Sequence, residues 1–455
     1  MLIWEKLLNG SRRKAIAGKT RSLGTAVGRE EFERDYDRIL FAAPTRRLAD
    51  KTQVFPMEEH DSVRTRLTHS HEVSNLARSI GMRLAFDHAE EVFGPDHERL
   101  KVKRNVPALL AAVGLAHDLG NPPFGHQGEA SMQDWFRALA ERDGMEIEAD
   151  FLKFDGNAQT FRLLTRLQVL NDDFGLNLTV GTLAALIKYP VVYGEDRMGY
   201  KKWGVFSSEK AIADEVWTHT GLLPGVRHPL TVVMEACDDI AYSVIDAEDT
   251  VKKACASFYD LMDFIESEAD DPVSKDIISR ARAENLSFKQ ASLSSRELND
   301  VSMQVFRAIA ISRMVQAATE AFVANLGRIM SGEPDPGFEL IKASDVGQFC
   351  KVVKTFDRRY GFQHREVLRL ELQGHNYIQS TMDMLWDSLD DGDKGTCPFG
   401  RYVYGSVSEN YRRVYESSAK SDFDKRQLIC DTVSGMTESY LLKRHRELKS
   451  LANAS

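Results

Sequence analysis

The sequence has few cysteines, no long apolar run and no surplus of basic residues, and each shortage excludes a class of protein. Its five cysteines are scattered and form no C-x-x-C pair, which argues against a disulfide scaffold and a zinc ribbon. No apolar run reaches the ~18 residues of a membrane span, and the amino terminus lacks the apolar core of a secretory signal. A net charge of −9 excludes a surface that binds nucleic acid throughout. We therefore expect a cytoplasmic protein with reduced thiols and no membrane segment.

Basic residues are nevertheless concentrated in the first 30 residues. One hypothesis is that this basic arm, residues 1–30, contacts phosphates or a partner subunit. The alternative is a solvated, mobile arm that has no specific function. Its cationic residues include Arg12, Arg13, Lys14, Lys19, Arg21 and Arg29.

Apolar residues recur at steps of three and four along most of the chain, as in "REEFERDYDRILFAA" and "VSMQVFRAIAISRMVQAATEAFVANLGRIM". This spacing is typical of amphipathic helices. Breaks fall near residues 94–96, 270–272 and 331–337, and no Gly-x-Gly-x-x-Gly or Walker loop occurs. The pattern predicts an all-α fold with little strand content, limited to one hairpin around "VVYGEDRMGYKKWGVF".

The stretch "GLAHDLGNPPFGHQGEA" places a vicinal His-Asp pair before a turn rich in Gly and Pro. His117 and Asp118 can ligate one cation if the backbone brings their side chains together. A hydrolytic metal site needs three or four protein ligands, and His69 and Asp238 are the candidates for the others. His71 lies on a different helical face from His69, so the two are not expected to share an ion.

Two further patterns surround these candidates. Glu129 follows His126 by one helical turn, and a carboxylate behind an imidazole is a common way to hold a general acid or base. Downstream, Asp238, Tyr242 and Asp246 lie at i, i+4 and i+8 beside an apolar stripe, which is typical of a pocket wall. A solvated acidic face is the alternative interpretation of that second pattern.

Taken together, these residues resemble the HD-domain metallophosphohydrolase superfamily, which is marked by His … His-Asp … Asp. Four blocks in order, "RTRLTHSHEVSNLARSIG", "GLAHDLGNPPFGHQGEA", "FDGNAQTFRLL" and "MEACDDIAYSVID", are similar to the deoxyguanosine-triphosphate triphosphohydrolase family. Asn121 falls where some animal relatives carry His, so the chain is similar to the bacterial branch. The similarity covers about residues 30–250 and is loose in the carboxy-terminal third.

The resemblance implies a domain organisation and a set of site residues. It implies an HD-domain helical bundle at residues 31–275 and a helical carboxy-terminal region packed on it at residues 276–455. It also implies metal ligands, namely His69, His117, Asp118 and Asp238, and a catalytic pair, His126 and Glu129. The implied substrate contacts are Gln53, Tyr242 and Asp246 for the deoxyribose and Arg66, Lys188 and Tyr189 for the triphosphate. Lys202 is a further triphosphate candidate, with surface solvation as its alternative.

The activity implied by the resemblance is cleavage of a deoxynucleoside triphosphate, dGTP above all, to deoxynucleoside and tripolyphosphate. The implied cofactor is a divalent cation, Mg²⁺ or Mn²⁺ in the first place, although mixed His/Asp ligation also admits Fe, Co or Ni. The family forms homo-oligomers, often hexamers, and single-stranded DNA is considered as an effector.

Two alternatives stay open at this point. One is an HD-type phosphodiesterase or nucleotidase that acts on other nucleotides. Gln53, the "KYP" block and the Tyr-Asp sugar pair argue against it. The other is a nucleic-acid-binding regulator with a vestigial site. Only the basic arm supports it, and the intact ligand set argues against it.

Overall fold

Helices carry almost all of the regular structure in the computed structural model, which describes residues 1–19, 28–57, 62–168, 172–394 and 397–452. No sheet occurs within these ranges, so the prediction of an all-α fold is confirmed. None of their helices is both long and apolar enough to cross a membrane. The α-helices in chain order are Trp4–Leu7, Arg13–Ile16, Glu31–Leu40, Ala43–Arg47, Arg66–Phe86, Ala89–Phe93, Val102–Ala116, Gly125–Asp143, Ala149–Leu152, Gly156–Arg162, Val180–Leu186, Lys210–Thr220, Pro229–Ile240, Asp246–Lys252, Phe258–Glu268, Pro272–Phe288, Ser295–Ala324, Leu326–Ile329, Leu340–Ala343, Gly347–Phe356, Arg365–Lys394, Pro398–Ser406, Glu409–Glu416, Asp422–Ser434 and Glu438–Ala452.

The larger hydrophobic core forms around two long helices, Arg66–Phe86 and Val102–Ala116, with Pro229–Ile240 packed on both. The first two helices approach closely because Gly114 has no side chain: a Cβ there would lie 2.8 Å from the Cα of Ser74. Each of the three helices carries candidate metal ligands, either within it or immediately after its end. The packing of this core therefore sets the distances within the site.

A second hydrophobic core forms around the Gly125–Asp143 helix, which directly follows the His-Asp turn. This helix packs against Arg365–Lys394 in the carboxy-terminal part of the chain, and the indole Nε1 of Trp135 donates to Asp383 at 2.8 Å. The carboxy-terminal helices thus contact the element that carries His126 and Glu129.

The amino-terminal residues pack on the first core, with Trp4 buried. Arg12 forms ion pairs with Glu31 at 2.6 Å and Asp35 at 2.7 Å, and Arg13 pairs with Glu215 at 3.0 Å. Lys14 pairs with Asp172, whereas Arg21 lies outside the described residues. Because Arg12, Arg13 and Lys14 form ion pairs within the fold, these three residues give little support to a phosphate-binding arm.

The predicted hairpin around residues 191–206 is wrong. A single parallel bridge joins Val192 and Val205, and no strand forms there. Gly194 and Gly199 both adopt positive φ, at 84° and 86°, which curls the segment back on itself. The ring of Tyr193 stacks on Trp203 at 5.2 Å. Aromatic packing and a few backbone hydrogen bonds between residues 191–193 and 204–205, rather than a regular strand pair, therefore hold this loop.

A buried ion network joins the HD region to the carboxy-terminal helices. Arg162, only 4% exposed, donates to Asp431 at 2.7 Å and to Glu209 at 2.7 Å. Both carboxylates are buried. These buried charges therefore compensate one another, and Arg166 adds a longer contact to Glu209 at 3.6 Å.

Replacing Arg162 by Ala is expected to lower the free energy of unfolding by about 3–5 kcal/mol, because it leaves buried Asp431 without its counter-charge and Glu209 with only the longer contact to Arg166. The matched control is Arg137→Ala, which removes an exposed pair with Asp134 and should cost about 0–1 kcal/mol. Urea unfolding followed by circular dichroism measures both variants. Equal midpoints for the two variants would contradict the importance of the network.

Candidate active site

A cavity of about 330 Å³ lies where the His-Asp turn meets the start of the Arg66–Phe86 helix and the end of the Pro229–Ile240 helix. It collects residues that are far apart in the sequence. All but two of the predicted site residues line it, the exceptions being Glu129 and Asp246. The predicted residues in its wall are Gln53, Arg66, His69, His117, Asp118, His126, Lys188, Tyr189, Lys202, Asp238 and Tyr242.

The candidate metal ligands converge at one point of this wall. Ligand atoms of His69, His117 and Asp118 all lie within 4.8 Å of one another. The Oδ1 atom of Asp238 lies 3.3 Å from Nε2 of His69 and 3.5 Å from Nε2 of His117. His71, by contrast, is exposed and does not line the cavity.

The hydrogen bonds of His117 prepare it to bind a cation. Its Nδ1 donates to the carbonyl of Gly114 at 2.7 Å, which leaves Nε2 as the ligand atom. That nitrogen is buried and has no hydrogen-bond partner among the described residues. Burial disfavours the charged imidazole, but Asp118 and Asp238 outweigh it and raise the pKa of His117 to about 9. The residues therefore fit a divalent cation, which would supply the positive charge and displace the proton.

Arg66 approaches this cluster from the first turn of its helix. Its Nη1 donates to Oδ2 of Asp118 at 2.5 Å. Burial alone would raise the pKa of Asp118, but His117 and Arg66 outweigh it and lower that pKa to about 2. A Cβ at Gly125 would lie 2.4 Å from Nη2 of Arg66, and Gly125 has a φ of +54°. The positive φ therefore favours glycine at this position, and a side chain there would also have to displace the end of the Arg66 side chain.

The predicted catalytic pair forms at the start of the Gly125–Asp143 helix. The side chain of His126 is 77% exposed, and its Nδ1 lies 3.1 Å from Oε2 of Glu129. Glu129 is buried and is anchored by the backbone N–H of Gly156, which donates to it at 2.7 Å. The hydrogen bond with Glu129 is the main cause of a raised pKa of His126. The imidazole can therefore carry a proton on the cavity side while its other nitrogen is held.

Two lysines add positive charge to the same cavity. Lys202 bonds to Asp155 and lies 3.9 Å from Oε2 of Glu129. Burial disfavours the charged Lys188, but nearby carboxylates outweigh this effect and raise its pKa. The Nζ atom of Lys188 lies 5.9 Å from the centre of the Tyr189 ring. The structure thus places all three in the cavity wall.

The predicted sugar residues are only partly brought together. Tyr242 and Gln53 line the cavity, whereas Asp246 is fully buried outside its lining. The helix widens to a π-helix at Ala241–Ile245, so the i, i+4, i+8 alignment of a regular helix ends there. Neither carboxylate oxygen of Asp246 has a hydrogen-bond partner in the described part of the chain, and burial raises its pKa well above the usual value.

The wall also contains residues that sequence reasoning missed, and two of them, Phe362 and Glu371, come from outside the HD region. The ring of Phe362 stacks on Tyr242, with centroids 5.5 Å apart and planes 19° apart. Glu371 is half-buried on the Arg365–Lys394 helix, and burial raises its pKa. Both come from the carboxy-terminal third, which the four blocks similar to the family do not reach.

Comparison with known proteins identifies the family of the chain. Residues 66–167 match the HD domain family, so the site belongs to an HD-domain hydrolase. A deoxyguanosinetriphosphate triphosphohydrolase-like protein of Listeria monocytogenes is 34% identical over 99% of this chain and 100% of its own length. Its namesake in Synechocystis sp. is 31% identical over 99% of both chains. A deoxyguanosinetriphosphate triphosphohydrolase of Enterobacter sp. is 30% identical over 92% of this chain and 94% of its own. The chain belongs to the deoxyguanosinetriphosphate triphosphohydrolase family.

Replacing His69 or Asp238 by Ala is expected to remove most of the bound divalent metal and to abolish turnover, because each change deletes one proposed ligand. His71→Ala is the matched control, since His71 is exposed outside the cavity, and it should keep both properties. Elemental analysis of purified protein gives the metal-to-protein ratio. Full metal content in the His69→Ala protein would show that His69 is no ligand.

Proposed function

We propose that this protein hydrolyses deoxynucleoside triphosphates, dGTP in preference, to deoxynucleoside and tripolyphosphate with the help of a divalent cation. The observation that carries the proposal is the single cavity shared by a cation site, an imidazole–carboxylate pair, cationic side chains and a stacked aromatic wall. The names of the relatives support the same substrate class.

The bond that breaks joins the α-phosphorus to the 5′-oxygen, and water supplies the oxygen that replaces it. The leaving 5′-alkoxide is strongly basic and needs a proton. His126 is proposed to donate it, with Glu129 holding the imidazole and favouring its protonated form. A cation held by His69, His117 and the aspartates, Mg²⁺ or Mn²⁺ in the first place and Fe, Co or Ni otherwise, would polarise an α-phosphate oxygen and lower the pKa of water.

The triphosphate needs several positive charges, and the cavity supplies them. Arg66 offers a planar guanidinium suited to bidentate phosphate binding. Lys188 and Lys202 are proposed to neutralise the more distal phosphates, with Tyr189 beside Lys188. An enzyme acting on cyclic or monophosphate nucleotides has no need of so many cations, which disfavours the alternative of a phosphodiesterase.

The wall formed by Tyr242 and Phe362 is proposed to select the sugar and the base. Tyr242 would occupy the space of a 2′-hydroxyl and so exclude ribonucleotides by repulsion. Gln53, whose buried Oε1 lacks a hydrogen-bond partner among the described residues, is the proposed ligand of the 3′-hydroxyl. The resemblance assigns Asp246 to the same hydroxyl, but its buried side chain lies outside the cavity lining, so this assignment requires the wall to move. Glu371 can accept hydrogen bonds from the adjacent N–H groups of guanine, which supports a preference for dGTP.

Three further points remain proposals. The resemblance to the family supports a homo-oligomer, a hexamer in particular, and single-stranded DNA as an effector. The scattered cysteines, none of them in a disulfide, support a cytoplasmic location.

The first experiment incubates the protein with dGTP and Mn²⁺ and separates the products by chromatography. Deoxyguanosine and tripolyphosphate are expected in equal amounts, since one bond is cleaved. Release of dGMP or dGDP would contradict the proposed function.

The same assay tests the sugar and base assignments. GTP should be a far poorer substrate than dGTP, and Tyr242→Ala should narrow the difference in turnover between these two nucleotides. Glu371→Gln should reduce the preference for dGTP over dATP. Comparable turnover of GTP and dGTP by the wild type would disprove the sugar assignment.

The second experiment tests the proposed acid. His126→Ala should keep bound metal and nucleotide affinity but lose on the order of 10²-fold in kcat, since a general acid typically contributes that much or more. Because protonated His126 is the active form, kcat should fall as pH rises through its raised pKa. Glu129→Gln removes the interaction that raises this pKa, so the fall should begin at a lower pH. An unchanged kcat with a raised KM in His126→Ala would assign the imidazole to binding alone.

A further inference from the structure

A second cavity, of about 480 Å³, lies among the carboxy-terminal helices and shares no lining residue with the active-site cavity. Its polar wall consists of two arginines, Arg47 and Arg444, and of hydroxyl groups that include Ser408, Tyr411 and Thr437. None of the described residues that line it carries a carboxylate. In a chain of net charge −9, this is a local concentration of positive charge and of hydrogen-bond donors.

Both guanidinium groups of this cavity keep some capacity to bind an anion, although Arg444 is paired with a carboxylate and only Arg47 has none as a partner among the described residues. Nη1 of Arg47 donates to the hydroxyl of Tyr411 and to the carbonyl of Gly435, both at 3.1 Å and both uncharged. Arg444 is 6% exposed and pairs through Nη1 with Glu447 at 2.9 Å. Its Nη2 has no hydrogen-bond partner within the described ranges. Two arginines with surrounding hydroxyls are the donor set that binds phosphate groups.

The rest of the wall is apolar, formed by Leu385, Val407, Met436 and Leu448. The cavity is therefore larger than a single phosphate needs, and one side of it offers no polar partner. This combination fits a phosphate-bearing anion with additional bulk, either a polyphosphate chain or a nucleotide whose base lies on the apolar side.

Residues 434–438 connect this cavity to the active site. Gly435, Met436 and Thr437 line the cavity. The carbonyl of the preceding residue, Ser434, accepts a hydrogen bond from Nζ of Lys51 at 2.8 Å. The same Nζ donates at 2.5 Å to the carbonyl of Asn121, which lines the active-site cavity.

Glu438, at the other end of this segment, holds two active-site loops together. It is 2% exposed and accepts hydrogen bonds from the backbone N–H groups of Thr52 at 2.7 Å and Phe124 at 3.0 Å. Thr52 directly precedes Gln53, and Phe124 lies two residues before His126. A displacement of residues 434–438 would therefore move both the proposed sugar contact and the proposed acid.

We propose that this second cavity is a regulatory site for a phosphate-bearing anion, and that its occupancy alters turnover through residues 434–438. The binding half of the proposal follows from the donor set and the volume. The regulatory half rests on the proposed function, because turnover is its readout.

The binding test places a negative charge in the cavity without damaging a helix. Ser408 is the N-cap of the Glu409–Glu416 helix, and Asp and Asn are both good N-cap residues. Isothermal calorimetry with inorganic tripolyphosphate, in EDTA to remove divalent cations, should show a binding site in the wild type and in Ser408→Asn. In Ser408→Asp its affinity should fall by about tenfold or more, because like charges repel at short range. Equal affinity in the two variants would overturn the site.

A second pair of variants makes the test independent of Ser408. Arg444→Gln removes one guanidinium from the cavity and should weaken the same binding event. Arg446→Gln, an exposed change on the same helix, is the matched control and should not. An equal loss of tripolyphosphate affinity in Arg444→Gln and Arg446→Gln would show that the anion does not bind in this cavity.

The kinetic test separates the two cavities. Tripolyphosphate bound at the active site competes with dGTP and raises only KM, whereas binding at a second site alters kcat. The wild type and Ser408→Asn are expected to show the kcat effect, and Ser408→Asp only the KM effect. Purely competitive inhibition of the wild type would overturn the regulatory half. If the protein does not hydrolyse dGTP at all, the proposed function is contradicted. The calorimetry with tripolyphosphate then still tests whether the second cavity binds an anion.

Titration with dGMP in place of tripolyphosphate distinguishes the two sources of phosphate. Tighter binding of dGMP would identify a nucleotide on the apolar side of the cavity. Tighter binding of tripolyphosphate would identify a polyphosphate chain.

Discussion

The interaction on which the site depends is the attraction of two carboxylates for positive charge in a place largely shielded from water. Asp118 and Asp238 converge on the buried imidazoles of His69 and His117. Leaving them uncompensated is costly, because buried charge without a partner destabilises a fold. Arg66 supplies part of the compensation, and a divalent cation would supply the rest. A ligand that binds only the folded state also stabilises that state, so the same attraction joins catalysis to folding.

The carboxy-terminal third takes part in this arrangement through buried polar contacts. Glu438 accepts from two active-site loops, Lys51 joins the loop after the His-Asp pair to Ser434, and Arg162 joins the HD region to Asp431. All three are ionisable side chains in the interior, where an unmade hydrogen bond is expensive. A shift of the carboxy-terminal helices would therefore strain or break these contacts with the loops that they hold.

Much of the fold could be predicted from the sequence, because helical periodicity is a local pattern. The candidate cation ligands, which range from His69 to Asp238, could be proposed together only because the motifs that carry them resemble a known family. Periodicity of three and four residues marks helices wherever a helix buries one face. The vicinal His-Asp pair offers two candidate ligands at adjacent positions. The hairpin prediction failed because the two ends of residues 191–206 meet through one parallel bridge and a few hydrogen bonds, not through an antiparallel strand pair, and residue types alone do not reveal this. The roles of Glu438 and Lys51 could not be predicted from the sequence. Their hydrogen-bond partners lie from about 70 to nearly 400 residues away, and no rule of spacing links them.

The wall proposed to read sugar and base shows a different limit. Tyr242 lies in the π-helix Ala241–Ile245 and Phe362 ends the π-helix Asp357–Phe362, and their rings stack across the cavity. Such widened turns are rare and often occur at functional sites. A prediction that assumes 3.6 residues per turn assigns the residues after such a turn to the wrong face of the helix. The cation ligands precede these segments or lie before them on the same helix. The part of the cavity that contacts the base can therefore change with the carboxy-terminal sequence while the cation site stays the same, which is consistent with the loose resemblance in that third of the chain.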